Sequence, residues 1–296
     1  MLNGKNIDKW NDMKLGLVLS GGGAKGAYEA GAIKAMGEMD VIEKVYGVSG
    51  TSVGALNTLV FAMDDVALME ELWENIGLMT VAAPKVAEGD SRAIKDIVGK
   101  LHITAQMQDS GDTAVFTQNS LRELINKSCD FEKIRAHRAK LFACAYDINE
   151  RHVKYFELKK LSDEEMTDAV LASTPTSAAI PHVYDPVEIE GHKFADGGIN
   201  DPSYGVKNSD VTPLSPLQDE GYDAIIVIHL REQETLDIDH IGSTRLIHIY
   251  PSKPLEQIKG SGTMNFTRSA IRERFAMGYA DMYIALGKLL MSIIKE

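Results

Sequence analysis

The serine at position 52 stands in a pattern that supports nucleophilic chemistry. The stretch "GTSVG" at residues 50–54 has a glycine two positions to either side of Ser52, and it lies between an apolar strand pattern and an apolar helix pattern. A sharp turn from a strand into a helix needs small residues at both ends, and it lifts the central side chain out of the backbone. Gly50, Ser52 and Gly54 therefore predict a serine oxygen presented at such a turn.

A second glycine-rich loop, "SGGGAKG" at residues 20–26, follows the first apolar strand pattern. A nucleophilic serine needs backbone N–H donors nearby for the oxyanion that forms, and glycines expose such donors. We expect the N–H groups of Gly21, Gly22 and Gly23 to be these donors. Lys25 and Gly26 complete the loop. We interpret Lys25 as an anchor of the loop; the alternatives are a solvated residue of the first helical turn and a cation that attracts a phosphate headgroup.

The same glycines also read as the G-x-G-x-x-G fingerprint of dinucleotide-binding proteins. That interpretation requires a carboxylate about 20 residues after the last glycine, at the end of the second strand. Residues 44–63 contain neither aspartate nor glutamate. Dinucleotide binding is therefore the less favoured alternative.

The candidate base for the serine is an aspartate. None of the eight histidines occupies an evident catalytic turn, and His229 and His248 lie inside apolar strand patterns, where packing is the simpler role. The stretch "FADGG" places Asp196 at the end of a strand, directly before Gly197 and Gly198. Aspartates are also common in ordinary turns, so position alone does not assign the role.

The elements that must position these residues alternate between strands and helices. Strand patterns cover residues 15–19, 44–50, 140–148, 152–158, 192–198, 224–230 and 245–251, and helix patterns cover 24–39, 53–63, 163–173 and 267–294. We expect a hairpin between the strands at 140–148 and 152–158. Such alternation predicts an α/β fold with a mainly parallel central sheet and helices on both faces, in which successive strand ends meet at one edge.

Residues 64–139 differ from this alternation. They carry helical patterns at 65–77, 91–101 and 117–127 and no convincing strand. We interpret the region as a helical insertion or cap over the site, with ordinary packing of helices on the sheet as the alternative. We treat the 296 residues as a single domain with a core at 14–230, the insertion at 64–139, and a C-terminal strand and helix at 231–296.

The composition narrows the classes of partner. The net charge of −12 disfavours binding to nucleic acid, because phosphate backbones repel carboxylates. The two cysteines, Cys129 and Cys144, form neither a disulfide framework nor a metal-ligand spacing. No stretch reaches the length of about 18 apolar residues that a membrane span needs. We therefore expect a cytoplasmic protein, with peripheral membrane contact through a local patch left open.

Together and in this order, the motifs resemble those of the patatin-like phospholipase family. "GGGAKG" at 21–26 resembles its oxyanion loop, "GTSVG" its nucleophile turn and "DGG" at 196–198 its aspartate motif; "LASTPTSAAIP" at 171–181 is similar to the block that precedes that aspartate. The resemblance covers about residues 14–230. Two features differ: Lys25 stands where many relatives have arginine, and residues 200–223 are polar where relatives have a helix of small apolar residues.

The resemblance implies a patatin-like three-layer fold and a hydrolase of acyl esters, usually those of lipids, that acts at a membrane surface or in solution without metal or cofactor. It implies that Ser52 attacks the ester, that Asp196 accepts the proton without a histidine, and that the glycine loop holds the oxyanion. A non-catalytic lipid-binding or interaction module on the same fold is the alternative. The presence of Ser52, Asp196 and the glycine loop counts against that alternative.

Overall fold

The computed structural model of the protein describes residues 10–77, 83–84, 116–174, 186–199, 209–231, 238–256 and 262–295. The helix expected at 91–101 and the block from 175 to 181 lie outside these residues.

Eleven strands and seven helices are described. The strands are β1 (Leu15–Leu19), β2 (Val45–Thr51), β3 (Ala83–Pro84), β4 (Phe116–Thr117), β5 (Lys140–Asp147), β6 (His152–Glu157), β7 (Val187–Ile189), β8 (His192–Asp196), β9 (Ala224–Ile228), β10 (His240–Ile241) and β11 (Thr244–Ile249). The helices are α1 (Ala27–Glu38), α2 (Val53–Ala62), α3 (Val66–Asn75), α4 (Asn119–Ser128), α5 (Phe131–Ala136), α6 (Asp163–Ser173) and α7 (Arg268–Lys295).

One mixed sheet of nine strands organises the chain. Its five adjacent strands β11, β9, β1, β2 and β5 are parallel, and the strands at its margins are antiparallel. β5 and β6 form the expected antiparallel hairpin. Because β1 and β2 are parallel neighbours, the glycine loop after β1 and the turn after β2 leave the same edge of the sheet. The fold is the expected three-layer α/β architecture.

Alternate residues of the central strands face two separate cores. Leu17 and Leu19 of β1 point into the larger core, which the described α-helices cover, whereas Val18 points into the smaller one. The smaller core is covered by residues 214–222, which include a short 3₁₀ helix at Ser215–Leu217. Burial on both faces explains why β1 and β9 are continuous apolar runs.

β2 and β8 pair with successive parts of the same edge of β5. β2 pairs with this edge as far as Cys144, and β8 pairs antiparallel with it from Ala145 onward, while β6 occupies the opposite edge. Thr51, the last residue of β2, and Asp196, the last residue of β8, are therefore opposite consecutive residues of β5. This arrangement brings Asp196 to the turn that follows β2.

The long C-terminal helix α7 packs closely on α1. A Cβ added at Gly31 of α1 would overlap the carbonyl oxygen of Phe275, and one added at Gly278 of α7 would overlap the carbonyl oxygen of Tyr28. The Tyr28 hydroxyl also donates to Asp281 at 3.0 Å. Glycine at both contact points lets the two backbones approach, and this fixes α7 against the helix that follows the glycine loop.

Residues 64–139 contain more than the helices expected there. The patterns at 65–77 and 117–127 form α3 and α4, and a further short helix, α5, follows α4. The expectation of no strand is wrong, because β3 and β4 form a two-residue antiparallel pair. Two residues per strand are too few to show alternation, so the sequence pattern carries no signal for this pair.

Candidate active site

Ser52 occupies a strained turn between β2 and α2. Its φ of 57° and ψ of −124° lie in a region that residues other than glycine rarely adopt, at a cost of about 1–3 kcal/mol. A Cβ added at Gly50 would overlap the carbonyl of Gly54, and one at Gly54 would overlap the carbonyl of Leu19. Both glycines of the motif are therefore required by close backbone approach.

A buried serine holds this turn in place. The Ser52 N–H donates to Ser173 Oγ at 2.8 Å, and the Ser173 hydroxyl donates to the carbonyl of Cys144 at 2.5 Å. Ser173 is the last residue of α6 and is fully buried. It therefore ties the nucleophile turn to β5, and the sequence singles it out only as part of the block "LASTPTSAAIP".

The Asp196 carboxyl group lies beside Ser52 and is 3% exposed. Burial raises its pKa to about 7, and this rise is opposed by hydrogen bonds from the Gly198 N–H and the Ser52 hydroxyl and by the charge of Arg231. The Gly198 N–H lies 2.8 Å from Asp196 Oδ1. The structure thus brings together the serine and the aspartate that the sequence singled out, with the carboxyl group poised to exchange a proton near neutral pH.

Gly197 and Gly198 shape the turn that follows Asp196. A Cβ added at Gly197 would lie 2.5 Å from the carbonyl oxygen of Cys144, and one at Gly198 would lie 3.3 Å from Asp196 Oδ1. Only glycine fits at the first of these positions without a shift of β5. The turn therefore needs the small residues that the sequence supplies.

The glycine loop lies directly against the nucleophile turn, but its three amides are not equivalent. A Cβ added at Gly21 would lie 3.3 Å from Ser52 Cβ. The Gly21 N–H donates to the carbonyl of Val211 at 2.8 Å, so it is already occupied in this structure. Within the described ranges, no acceptor takes the N–H of Gly22 or Gly23. Of the three amides expected to bind an oxyanion, these two are therefore the ones that have no acceptor among the described residues.

Packing around the loop explains its other small residues. Gly23 has a φ of +57°, and a Cβ there would overlap the carbonyl of Thr263. A Cβ at Gly22 would lie 2.8 Å from Leu230 Cδ1, and one at Gly26 would lie 2.5 Å from Val53 Cγ2. The loop is therefore enclosed by Leu230 after β9, by Thr263 before α7 and by Val53 of α2.

Lys25 is buried within the loop, with 6% of its surface exposed. Burial lowers its pKa, the charge of Glu256 raises it, and the charges of Arg231 and Arg274 lower it further. Its Cε lies 3.4 Å from the position of a Cβ on Gly22. A solvated position for Lys25 is therefore wrong, and its side chain packs along the loop as the anchoring interpretation requires.

The segment at residues 209–214 crosses the site; the sequence marked it only as part of the polar stretch 200–223, without a role. The Asp210 N–H donates to the carbonyl of Gly197, and the Asp210 carbonyl accepts from the Thr51 hydroxyl, both at 2.7 Å. Thr212 Oγ1 lies 3.0 Å from Ser20 Oγ. The segment thus links the aspartate turn, the nucleophile turn and the glycine loop, which gives the polar residues in this part of the sequence a structural role.

A buried carboxyl group beneath the loop was also missed. Glu29 is fully buried on α1 and accepts a hydrogen bond from Asn57 Nδ2 at 2.8 Å. Asn57 also donates to the Gly26 carbonyl at 3.1 Å and accepts from Trp73 Nε1 at 2.9 Å. Burial raises the pKa of Glu29, opposed by Asn57 and by the Ser20 N–H. The sequence signal for its burial is the position of this glutamate within the run of small and apolar residues "AYEAGAI".

The described histidines do not bond to Ser52 or Asp196. The ring of His192 bonds to Asp147, and His229 and His248 bond to each other. His229 is buried and stacked on Tyr250, as the packing interpretation expected.

No cluster of three or more potential metal ligands occurs in the described ranges. None of the helices described there combines the length and the apolar character that a membrane crossing requires.

A small apolar cavity of about 20 Å³, with room for about one water molecule, borders α2. It lies between α2, α3 and α4, and its lining includes Leu56, Val60, Trp73 and Ile125. Its wall begins one helical turn after Ser52, although Ser52 itself is not part of the lining. The cavity is thus near the nucleophile turn, on the side of the region 64–139.

The fold and the site define an α/β protein in which a strained serine turn, a buried aspartate and a glycine loop meet at one edge of a mainly parallel sheet. Comparison with known proteins gives the family. The family model described as "Patatin-like phospholipase" matches residues 17–203, which is more than half of the chain. The chain therefore belongs to the patatin-like phospholipase family.

The relatives found are distant. The chain is 25% identical over 186 residues to "Probable lipid hydrolase 463L" of Invertebrate iridescent virus 6, a match that covers 62% of this chain and 59% of the viral protein. VipD from Legionella pneumophila superposes with a TM-score of 0.51 and 14% identity, over 94% of this chain and 67% of VipD. The type III effector ExoU of Pseudomonas aeruginosa superposes with a TM-score of 0.50 and 18% identity, over 96% of this chain and 54% of ExoU. These two structures support the fold.

Proposed function

We propose that this chain is a serine acyl hydrolase that cleaves lipid esters, with Ser52 as the nucleophile and Asp196 as the base. The observation that carries the proposal is the position of a strained, buried serine beside a buried carboxyl group, whose pKa is raised to about 7 by burial. Family membership and the description of the viral relative as a probable lipid hydrolase support lipids as the substrate class.

In the proposed first step, Ser52 Oγ attacks the ester carbonyl and its proton passes to Asp196. The negative oxygen of the tetrahedral intermediate is held by the N–H groups of Gly22 and Gly23, each of which is worth about 100-fold in rate by analogy with other oxyanion sites. The intermediate collapses, the C–O bond to the alcohol breaks, and Asp196 returns the proton to the leaving oxygen. Water then attacks the acyl-enzyme with Asp196 again as base. The bond between the acyl carbon and Ser52 Oγ breaks, Asp196 returns the proton to that oxygen, and the fatty acid leaves.

The raised pKa of Asp196 matters to this mechanism. An aspartate with an ordinary pKa of 3.8 would be a weak base at neutral pH, whereas one near 7 is matched to the working pH. Burial supplies this shift without a histidine, which accounts for a two-residue mechanism.

The function is tested by labelling and turnover. A fluorophosphonate probe is expected to label the wild-type protein at Ser52, with the site identified by peptide mass spectrometry, and p-nitrophenyl esters are expected to be cleaved. Ser52→Ala and Asp196→Asn should each abolish turnover. Ser49→Ala is the matched control, because it removes a buried hydroxyl of β2 that has no partner among the described residues.

The substrate class is tested by product analysis on a mixed lipid panel. We expect free fatty acids with the wild-type protein and none with Ser52→Ala. A wild-type protein that is neither labelled nor active would point to the non-catalytic alternative. Activity that survives both Ser52→Ala and Asp196→Asn would refute the assignment of the two residues.

A further inference from the structure

An arginine of the C-terminal helix reaches into the glycine loop. Arg274 of α7 is 4% exposed, and its guanidinium donates to three backbone carbonyls. Nη1 lies 3.1 Å from the oxygen of Ala24 and 2.9 Å from that of Asn265, and Nε lies 3.1 Å from that of Leu255. Burying a guanidinium is costly, so a site that does so and satisfies it with main-chain oxygens is a specific structural feature.

The three carbonyls belong to segments that enclose the loop. Ala24 lies within the 3₁₀ turn Gly23–Gly26 of the loop itself. Leu255 and Asn265 belong to the segments that precede and follow the 3₁₀ turn Gly262–Met264, and that turn packs on Gly23 through the carbonyl of Thr263. The guanidinium of Arg274 therefore joins the glycine loop to the segments that contain Leu255 and Asn265.

The contact at Ala24 bears directly on the available amides. The Ala24 carbonyl is two residues after Gly22, and the Gly22 carbonyl accepts the N–H of Lys25 at 3.2 Å in the same turn. The Ala24 carbonyl shares its peptide group with the Lys25 N–H, and the Gly22 carbonyl shares its own with the Gly23 N–H. Fixing the Ala24 carbonyl therefore restricts rotation of the peptide group that carries the Gly23 donor. Oxyanion donors must be held to within about 0.5 Å, and a misplacement of about 1 Å costs on the order of 100-fold in rate.

The part of α7 that carries Arg274 is packed closely against α1. Phe275, the next residue, is in backbone contact with Gly31 of α1, and Gly278 is in backbone contact with Tyr28. These contacts hold α7 against the helix that begins where the loop ends. The backbone of Arg274 is therefore held in place while its guanidinium binds the loop.

We propose that Arg274 is a positioning residue that holds the glycine loop in the geometry in which Gly22 and Gly23 can bind an oxyanion. This inference rests on the proposed function for its catalytic consequence, but its structural part, the ordering of residues 20–27, stands independently. Arg274 touches no reacting atom. It lies outside the residues 17–203 that the family model matches.

The test compares Arg274→Lys and Arg274→Met with Arg272→Gln. Arg272 is on the same helix, is exposed and pairs with Glu74 at 2.9 Å, so its replacement controls for a lost charge on α7. For p-nitrophenyl butyrate, we expect kcat to fall about 100-fold in Arg274→Met with KM within about threefold of wild type. We expect kcat to fall about tenfold in Arg274→Lys, because an ammonium group cannot span the three carbonyls. Arg272→Gln should match wild type.

Amide hydrogen exchange by mass spectrometry supplies the second measurement. We expect the peptide containing residues 20–27 to exchange at least about tenfold faster in both Arg274 variants and not in Arg272→Gln, since the loop opens locally. Wild-type kcat together with wild-type exchange in Arg274→Lys would overturn the inference, including when Arg274→Met does not fold. If the wild-type protein hydrolyses no ester, the proposed function fails, and hydrogen exchange alone decides the role of Arg274.

Discussion

Replacing Asp196 with asparagine should stabilise the protein in a pH-dependent way while it removes the proposed base. The folded-state pKa of about 7 lies above the ordinary value of 3.8, so the folded chain binds this proton more tightly than the unfolded chain. The contribution of Asp196 to stability is therefore largest at acid pH, and it falls as the pH rises from about 4 to about 7. At about 1.4 kcal/mol per pH unit, the ionised carboxylate costs the fold about 4 kcal/mol above pH 7.

Asp196→Asn removes this cost because the amide does not ionise. We expect its melting temperature to equal that of wild type near pH 4 and to exceed it by about 8 °C near pH 8.5, at about 2 °C per kcal/mol for a chain of this size. The assay is differential scanning fluorimetry of both proteins across this pH range. A melting-temperature difference that does not change with pH would refute the reasoning.

Asp147 provides a control of opposite sign. It is 2% exposed, and although burial raises its pKa, hydrogen bonds from the Glu150 N–H, the His192 ring and the Asn149 N–H outweigh burial and lower it. Its ionised form therefore stabilises the fold above the unfolded-state pKa, and this contribution is lost as the pH falls. Asp147→Asn should destabilise the protein at neutral pH, where Asp196→Asn stabilises it.

Three further predictions concern activity and the nucleophile turn. The kcat/KM for ester hydrolysis should rise with pH through a midpoint of about 7, because Asp196 must be ionised to act as a base. Gly23→Ala should lower kcat by about 100-fold or more, since the new Cβ would overlap the Thr263 carbonyl and displace the loop; kcat on p-nitrophenyl butyrate measures this. Ser173→Ala should cost about 1–3 kcal/mol in urea unfolding, because it leaves the Ser52 N–H unpaired in a buried turn.

Each of these has an outcome that would contradict it. A kcat/KM that is flat across neutral pH would argue against Asp196 as the base. Gly287→Ala, at an open position on α7, is the control for Gly23→Ala, and similar kcat values in both variants would show that the loop tolerates displacement. An unfolding free energy for Ser173→Ala within about 0.5 kcal/mol of wild type would place the support of the turn elsewhere.

The local parts of the site could be predicted because each is encoded over a few adjacent residues. The turn at Ser52 needs Gly50 and Gly54 for close backbone approach, and the sequence shows them at fixed spacing. The strand at 15–19 is a short apolar run between polar residues, and it forms β1 with the same bounds.

The parts that were missed depend on partners far along the chain. The Gly21 amide is occupied by Val211, and Arg274 reaches Ala24 across 250 residues. Neither pairing leaves a periodic or compositional trace in the sequence. The meeting of β2 and β8 on one edge of β5 also depends on where each strand stops pairing, and single-sequence patterns define strand ends least well.

The separation of 250 residues between Arg274 and the Ala24 carbonyl also bears on synthesis. β1 lies between β2 and β9, and α1 packs against α7, so segments made early are completed by segments made later. Contacts of such long sequence separation form late, because the intervening chain must be present and ordered first. A growing chain on the ribosome would thus carry Ser52 and Asp196 before the glycine loop is secured, and the proposed oxyanion site would be complete only after α7 docks.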